Sequence, residues 1–321
     1  MPGVELSIII LNYNTFSLTC ECIQSIYDTT QGVAFEIILV DNASAESDAD
    51  LFKLKFPELV LVRSATNVGF AKGNNLGIEK AAGEYILLLN SDILLTENAV
   101  NKCLSAMKSD SNIGVIAPKL IYPNGKPQGV ANRFPSILNQ ILILTRVFKL
   151  FSSKTKERIF LGEHILHDRI LEADWVMGAF FLTKREAIDK LENKKLNDDY
   201  FLYFEDVEWC YDMRKAGFSI VYYPFTQAVH HGSASFAWAK SNDKGLDKIS
   251  LIAKNEGIFL RKKKGWLYQK TYSFFWALIY LSVWNLKLVG LNLRGVFGLE
   301  AGCEIEKQLA SQQSIRCNDV N

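Results

Sequence analysis

With 321 residues, the chain has room for one large domain, or one domain with a smaller appendage. Apolar residues make up 49% and charged residues 22%, which excludes a disordered chain and leaves a globular composition with a sizeable core. A net charge of +1 removes any general attraction to nucleic acid or acidic partners, and no nucleic acid is expected.

The N-terminus MPGVELSIIILNYN carries Glu5 and no basic n-region, and it runs straight into a strand pattern, so no signal peptide is expected. LSIIILNYN (6–14) is a β-branched apolar run ending in polar residues, and a helical pattern follows over 17–29. FEIILVDNAS (35–44) repeats the design, with a short helix near 47–56. LVLVRSATN (59–67) is a third strand and FAKGNNLGIEKAAG (70–83) a helix. YILLLNSD (85–92) is the fourth strand, 96–109 the next helix, and IGVIAPKLIYP (113–123) a fifth strand before the turn Asn124-Gly125. Strands alternating with helices predict a mainly parallel, doubly wound α/β sheet. Continuous apolar strands fit burial on both faces.

Polar residues fall at the carboxyl ends of four of these strands: Asn12 and Asn14, Asp41 and Asn42, Asn67, and Asn90 with Asp92. In an open parallel sheet those ends share the edge where ligands bind.

Further along, 138–151 reads as an amphipathic or buried helix and 152–172 as a polar loop. WVMGAFFLTKREAIDKL (175–191) reads as strand then helix. DDYFLYFEDVEWCYDMRKAGF (198–218) leads into a helix stopped at Gly217. IVYYP (220–224) is a short strand, followed by AVHHGSASF, and 240–264 is helical. Six cysteines at 20, 22, 103, 210, 303 and 317 form no C-x-x-C pair, which points to reduced, buried thiols in a cytosolic protein.

No G-x-G-x-x-G or G-x-x-x-x-G-K-[ST] is present, and glycines 69, 73 and 77 are spaced four apart, so hydride transfer and P-loop chemistry are disfavoured. Asp92 at a strand end suits Mg²⁺ or Mn²⁺ bound alongside a diphosphate. Its competing reading is a helix cap, for which Thr96 is better placed. Glu205, Asp206 and Glu208 at a helix start suit the helix dipole. They equally suit a general base in an aromatic pocket. Of His230 and His231, adjacent on an extended chain, at most one faces a given site.

Taken together, SIIILNYN, VDNAS, NVGFAKGNNLG, LLLNSD, WVMGAFFLTKR, FLYFEDVEWCYDMRKAGF and HHGSAS, over roughly 6–236, resemble the inverting family 2 glycosyltransferases of the GT-A fold. The closest likeness is to the bacterial rhamnosyltransferase-like branch. The resemblance implies a catalytic domain over 1–240, with a nucleotide-sugar half (1–123) and an acceptor and catalytic-base half (124–240). A helical C-terminal extension (241–303) and a polar tail (304–321) follow. It places Asn12, Asn14, Asp41 and Asn42 around the nucleotide, and Asn67, Gly69, Lys72, Gly73, Asn74, Asn75 and Ser91 along the donor pocket. Trp175 and Gly178 border the acceptor. Asp206 is the catalytic base with Glu205 beside it, and Asp92 and His230 hold Mn²⁺ or Mg²⁺. One position departs from the family's D-x-D motif: Asn90-Ser91-Asp92 keeps a single carboxylate.

The implied donor is a dTDP- or UDP-linked sugar, with rhamnose favoured by overall likeness alone, and the implied acceptor is a lipid-linked saccharide. RKKKGW before an aromatic stretch (261–293) reads either as a helical pair packed on the domain or as an interfacial anchor. Asn285 and Lys287 argue against a full membrane span. The expected location is the cytoplasm, peripheral at the inner face of the plasma membrane. A catalytically silent sugar-nucleotide- or glycan-binding subunit of such a pathway is the alternative function. A nucleotidyltransferase would want basic residues after the first strand, and LNYNTFSLT has none.

Overall fold

The computed structural model describes residues 3–232, 248–282, 289–290, 292–293 and 296. Ser235, Asn285, Lys287 and the tail from 304 lie outside the described residues.

The first half alternates as the sequence predicts: β1 (Leu6–Asn12), α1 (Phe16–Thr29), β2 (Phe35–Asp41), α2 (Asp50–Lys55), β3 (Val60–Arg63), α3 (Phe70–Ile78) and β4 (Tyr85–Asn90). Then come β5 (Ile93–Leu94), α4 (Ala99–Ser109), β6 (Ile113–Ile121), β7 (Ala131–Asn132), α5 (Ile137–Leu144) and α6 (Ser153–Phe160). β8 (Leu171–Ala173), β9 (Trp175–Val176), β10 (Phe180–Lys184), α7 (Arg185–Asp189), α8 (Glu205–Lys215) and β11 (Ser219–His230) follow. α9 (Lys248–Lys264) and α10 (Trp266–Ser282) close the described chain.

The sheet runs β3-β2-β1-β4-β10-β6-β11-β5, with β8 against β11. β1 to β4 form the parallel half, and Ile8, Ile9, Ile10, Leu87 and Leu88 at its centre are fully buried. Each such side chain contributes about 1.5–3 kcal/mol by leaving water. Apart from Ser7 and Glu36, which bond each other at 2.6 Å near the strand starts, polar residues appear where these strands leave the core. β10 inserts antiparallel between β4 and β6. An apolar run records burial on both faces; it does not record which neighbour a strand pairs with, or in which direction.

Three local expectations are corrected. Within 152–172, read as a loop, lie α6 and β8. Ser152 caps α6, and its inward residue is the buried Glu157, which accepts the Leu166 N–H at 2.7 Å and pairs with Arg169. A charged inward residue leaves no apolar periodicity to read. The cap of α4 is Asn98, accepting the Asn101 N–H at 3.4 Å, rather than Thr96. The strand expected over 220–224 continues to His230, because its far end pairs with β5 and β6.

The chain forms two compact units, one within 1–134 and 152–245, the other within 135–151 and 246–321. The first contains the whole sheet. In the second, the Ile137 N–H at the start of α5 donates to the Tyr268 hydroxyl of α10 at 3.3 Å. Residues 135–151 thus belong to the same unit as the C-terminal helices.

Candidate active site

The ends of β1, β2 and β4 are tied by one polar network. Asn12 Nδ2 donates to Asp41 Oδ1 (2.8 Å) and to Ser44 Oγ (2.9 Å). Asn12 Oδ1 accepts from the Thr15 and Thr19 hydroxyls, and Thr15 Oγ1 lies 3.0 Å from Ser91 Oγ. The structure therefore brings Asn12, Asp41 and Ser91 together. Asn14, in the left-handed region at φ +53°, points its Oδ1 at the Ala45 and Glu46 N–H groups and shapes the loop after β2.

A second knot joins Asn42 to Asn67 (2.8 Å); Asn42 Oδ1 accepts the Val68 N–H and Asn67 Oδ1 the Gly69 N–H. Gly69 has φ 86° and ψ −178°, a conformation essentially reserved for glycine. A Cβ there would lie 2.4 Å from the Phe201 carbonyl oxygen, which accepts the Phe70 N–H at 2.8 Å. The 67–70 loop is thereby fastened to the segment leading to Glu205 and Asp206.

The rest of α3 is used differently. Lys72 is exposed. Gly73 lets α3 settle on β1, since a Cβ would lie 2.5 Å from Leu11 Cδ1. Asn74 bonds the Phe70 carbonyl, and Asn75 pairs with both backbone groups of Leu196. The amides of Asn74 and Asn75 are thus engaged with the fold itself.

Next to Ser91, the last residue of β11 meets Asp92. His230 Nε2 lies 3.3 Å from Asp92 Oδ1, both residues are about 6% exposed, and the His231 N–H donates to the Asp92 carbonyl at 3.1 Å. Gln128 fixes the tautomer. Its Nε2 donates to the His230 carbonyl (2.8 Å), so its Oε1 faces His230 Nδ1 (2.8 Å) and accepts that proton. Reversing the amide would set two oxygens against each other. In the neutral ring the proton then sits on Nδ1 and Nε2 offers its lone pair toward Asp92; Nε2 has no hydrogen-bond partner.

A buried lone pair beside a buried carboxylate oxygen calls for a cation between them. Two ligands of one hard divalent ion, bound at about 2.1 Å each, sit at a similar spacing. Asn90 Oδ1 is also buried without a partner. Among the described residues no third His, Cys, Asp or Glu joins the pair, so the donor set fits an ion that shares its shell with substrate oxygens.

The base side reaches the same edge. The Asn90 N–H donates to the Ala179 carbonyl (2.9 Å), and the neighbouring Gly178 N–H donates to Asp206 Oδ2 (2.9 Å). Asp206 Oδ1 accepts the Val207 N–H at 2.9 Å. Desolvation raises the Asp206 carboxyl to about 6, against the lowering effect of these N–H groups. Glu205 is buried, with Oε2 unpartnered; burial and the adjacent Asp206 charge hold its carboxyl well above the ordinary range.

Tyr203 and Phe204, immediately before the pair, both have positive φ (69° and 77°). Such strain persists only where the surroundings enforce it, and it concentrates at functional sites. Gly178 leaves space beside Asp206, and Phe70 closes the other side. Trp175, half-buried, donates its indole N–H to the Arg133 carbonyl (3.0 Å). Sequence reading missed Gln128, Thr15, Thr19 and Ser44. Of these only Thr15, next to a polar strand end, carries any local signal.

The model of glycosyl transferase family 2 matches residues 7–191, more than half of the chain. The chain belongs to that family. The low-salt glycan biosynthesis hexosyltransferase Agl10 of Haloferax volcanii is 25% identical over 71% of this chain and 67% of its own. The N-acetylglucosaminyl-diphospho-decaprenol L-rhamnosyltransferase of Mycobacterium tuberculosis is 23% identical over 72% and 76%. A mannosyltransferase from Pyrobaculum calidifontis, solved with GDP-Man and Mn²⁺, superposes with a TM-score of 0.53 at 15% identity, covering 97% of this chain and 79% of its own. The fold is GT-A, and the protein is a hexosyltransferase with relatives in glycan biosynthesis.

Proposed function

We propose that this glycosyltransferase moves a hexose, with inversion, from a dTDP- or UDP-linked donor to a hydroxyl of a lipid-linked saccharide in bacterial surface polysaccharide synthesis. The mycobacterial relative's name supports rhamnose and a lipid diphosphate acceptor. Action at the inner face of the plasma membrane, with 261–293 against it, belongs to the same reading. The observation that carries it is Asp206, a carboxyl poised near 6, one backbone link from the strand end that bears Asp92.

Asp206 accepts the proton of the acceptor hydroxyl as its oxygen bonds to the anomeric carbon and the bond to the diphosphate breaks on the opposite face. A single displacement inverts that carbon. Glu205 stays protonated and leaves the negative charge on its neighbour. Asp92 and His230 would hold Mn²⁺ or Mg²⁺, which when bound neutralises the leaving diphosphate. The Asn12–Asp41–Ser91 network and the Asn42–Asn67–Gly69 loop shape the donor end, with Asn14 bracing the loop after β2 and Lys72 at its rim. Trp175 and Gly178 border the acceptor.

Calorimetry with a sugar-nucleotide panel, with and without Mn²⁺, tests this on wild type, Asp92→Asn and Asp206→Asn. The expected result is metal-dependent binding of one donor, lost in Asp92→Asn and kept in Asp206→Asn while turnover disappears. Absence of binding to every donor by folded protein overturns it. Donor binding with no turnover by wild type on any acceptor moves the silent-subunit reading, motivated by Asn90 in place of an acid, to first place.

A further inference from the structure

A second polar cleft lies away from the metal pair. α6 and β8 wall a cavity of about 450 Å³, within the roughly 300–1,000 Å³ of ligand sites, and Arg133, Lys154, Arg158 and Arg169 line it together with Glu157 and Glu172. Both acids are engaged, Glu157 with Arg169 and the Leu166 N–H, Glu172 with Arg214 at 2.7 Å. Asp168 pairs with Arg169 at 2.9 Å and Asp174 with Arg133 at 3.4 Å. Arg133 also donates to the carbonyls of Arg158 (3.1 Å) and Glu172 (3.3 Å), and so joins the two walls. Lys154 and Arg158 remain, both exposed and with no ion pair among the described residues.

Charge and lining identify the ligand. Lys154 and Arg158 stand at i and i+4 on α6, so they are neighbours, about 5–6 Å apart at Cβ. Two adjacent cations over one cavity match an anion charged on two linked groups, a diphosphate, better than a single carboxylate. Ile170, 51% exposed, and Leu171 line the same cavity and give it an apolar wall. A merely solvated charged face needs neither the cavity nor that wall. The place of the cleft matters as well. β8 pairs with Ile220–Tyr222 at the start of β11, whereas His230 ends that strand. Asn132, next to Arg133, pairs with Trp175, whose indole N–H reaches the Arg133 carbonyl. From Trp175 to Gly178, which bonds Asp206, the chain spans at most about 11 Å. Arg214, which holds Glu172, lies about 12 Å along α8 from Asp206. That separation leaves room for a saccharide between the cleft and the base.

We propose that the cleft between α6 and β8 binds the diphosphate of a lipid-linked acceptor, with Lys154 and Arg158 on the phosphates and the Ile170 wall against the first part of the lipid. The acceptor assignment rests on the function proposed above; the argument for a diphosphate site in the cleft does not.

Calorimetric binding of farnesyl diphosphate to the full chain in EDTA, which keeps a metal ion from recruiting the diphosphate elsewhere, tests the cleft. Wild type is expected to bind it, and Lys154→Glu/Arg158→Glu to bind at least about tenfold more weakly. Lys156→Glu, on the same helix but outside the cavity lining, should keep wild-type affinity. Circular dichroism verifies the folding of each variant. In turnover, KM for a diphosphate-linked saccharide, taken relative to KM for the same saccharide on an octyl chain, should rise by a similar factor in the double variant. Absence of binding by folded wild type, equal affinity in the double variant, or an equal loss in Lys156→Glu overturns the proposal. So does inorganic pyrophosphate bound as tightly as farnesyl diphosphate, since the cleft then takes a free anion. An unchanged KM ratio overturns the acceptor assignment. If no acceptor turns over while farnesyl diphosphate still binds and the double variant still loses it, the transferase reading fails and the diphosphate site stands.

Discussion

Gln128 grips His230 twice, at the carbonyl oxygen and at ring Nδ1, both at 2.8 Å. This double contact aims the bare Nε2 at Asp92. Partners that orient a metal-bound imidazole typically account for a factor of about 10–100 in metal affinity. Gln128→Leu is therefore expected to weaken Mn²⁺ binding by that factor while the protein stays folded. Gln128→Glu, which still accepts the Nδ1 proton, should recover part of it. Titration of free Mn²⁺ by electron paramagnetic resonance, with nucleoside diphosphate present, reads the difference. Equal affinity in Gln128→Leu would remove Gln128 from the site.

Asp206 must be ionised to take a proton, and its carboxyl sits near 6. Turnover at limiting acceptor should fall about tenfold per pH unit below that value and level off above it. Asp206→Asn should lower turnover by about 10²–10⁴-fold and flatten the acid limb. A pH–rate profile unchanged between pH 5 and 7 would reassign the base.

Glu205 bears on stability rather than on chemistry. Its carboxyl is raised in the folded protein, so the native state keeps a proton that the unfolded chain releases near its ordinary value. The contribution of Glu205 to stability is therefore greatest at acid pH and is lost as pH rises from that ordinary value toward the raised one. Glu205→Gln has no proton to lose there. Its melting temperature relative to wild type should climb as pH rises above 4.5, the ordinary value. A constant offset across that range would show that Glu205 is ionised when folded.

Gly69 and Gly125 make a matched pair. Both have positive φ (86° and 81°), but a Cβ at Gly125 meets nothing within 4 Å, whereas one at Gly69 strikes the Phe201 carbonyl. Gly125→Ala should cost about 1 kcal/mol from backbone strain alone. Gly69→Ala should cost at least about 2 kcal/mol and also weaken donor binding. Urea unfolding compares them, and equal costs would dismiss the clash.

The sequence by itself determined the alternating first half. Runs such as SIIIL and YILLL cannot be hidden except by covering both faces, and their polar ends mark one edge. It offered Asp92, Asp206 and His230 as candidates, while their separate roles came from the resemblance to a family. Tertiary structure alone decided the antiparallel placement of β10, the grouping of α5 with the C-terminal helices, and the Gln128–His230 contact across 102 positions. The physical reason is shared. Burial is a property of a single segment and is written in its composition. Pairing direction, helix partnership and a hydrogen bond between distant side chains belong to two segments at once, and no local pattern in either one records them.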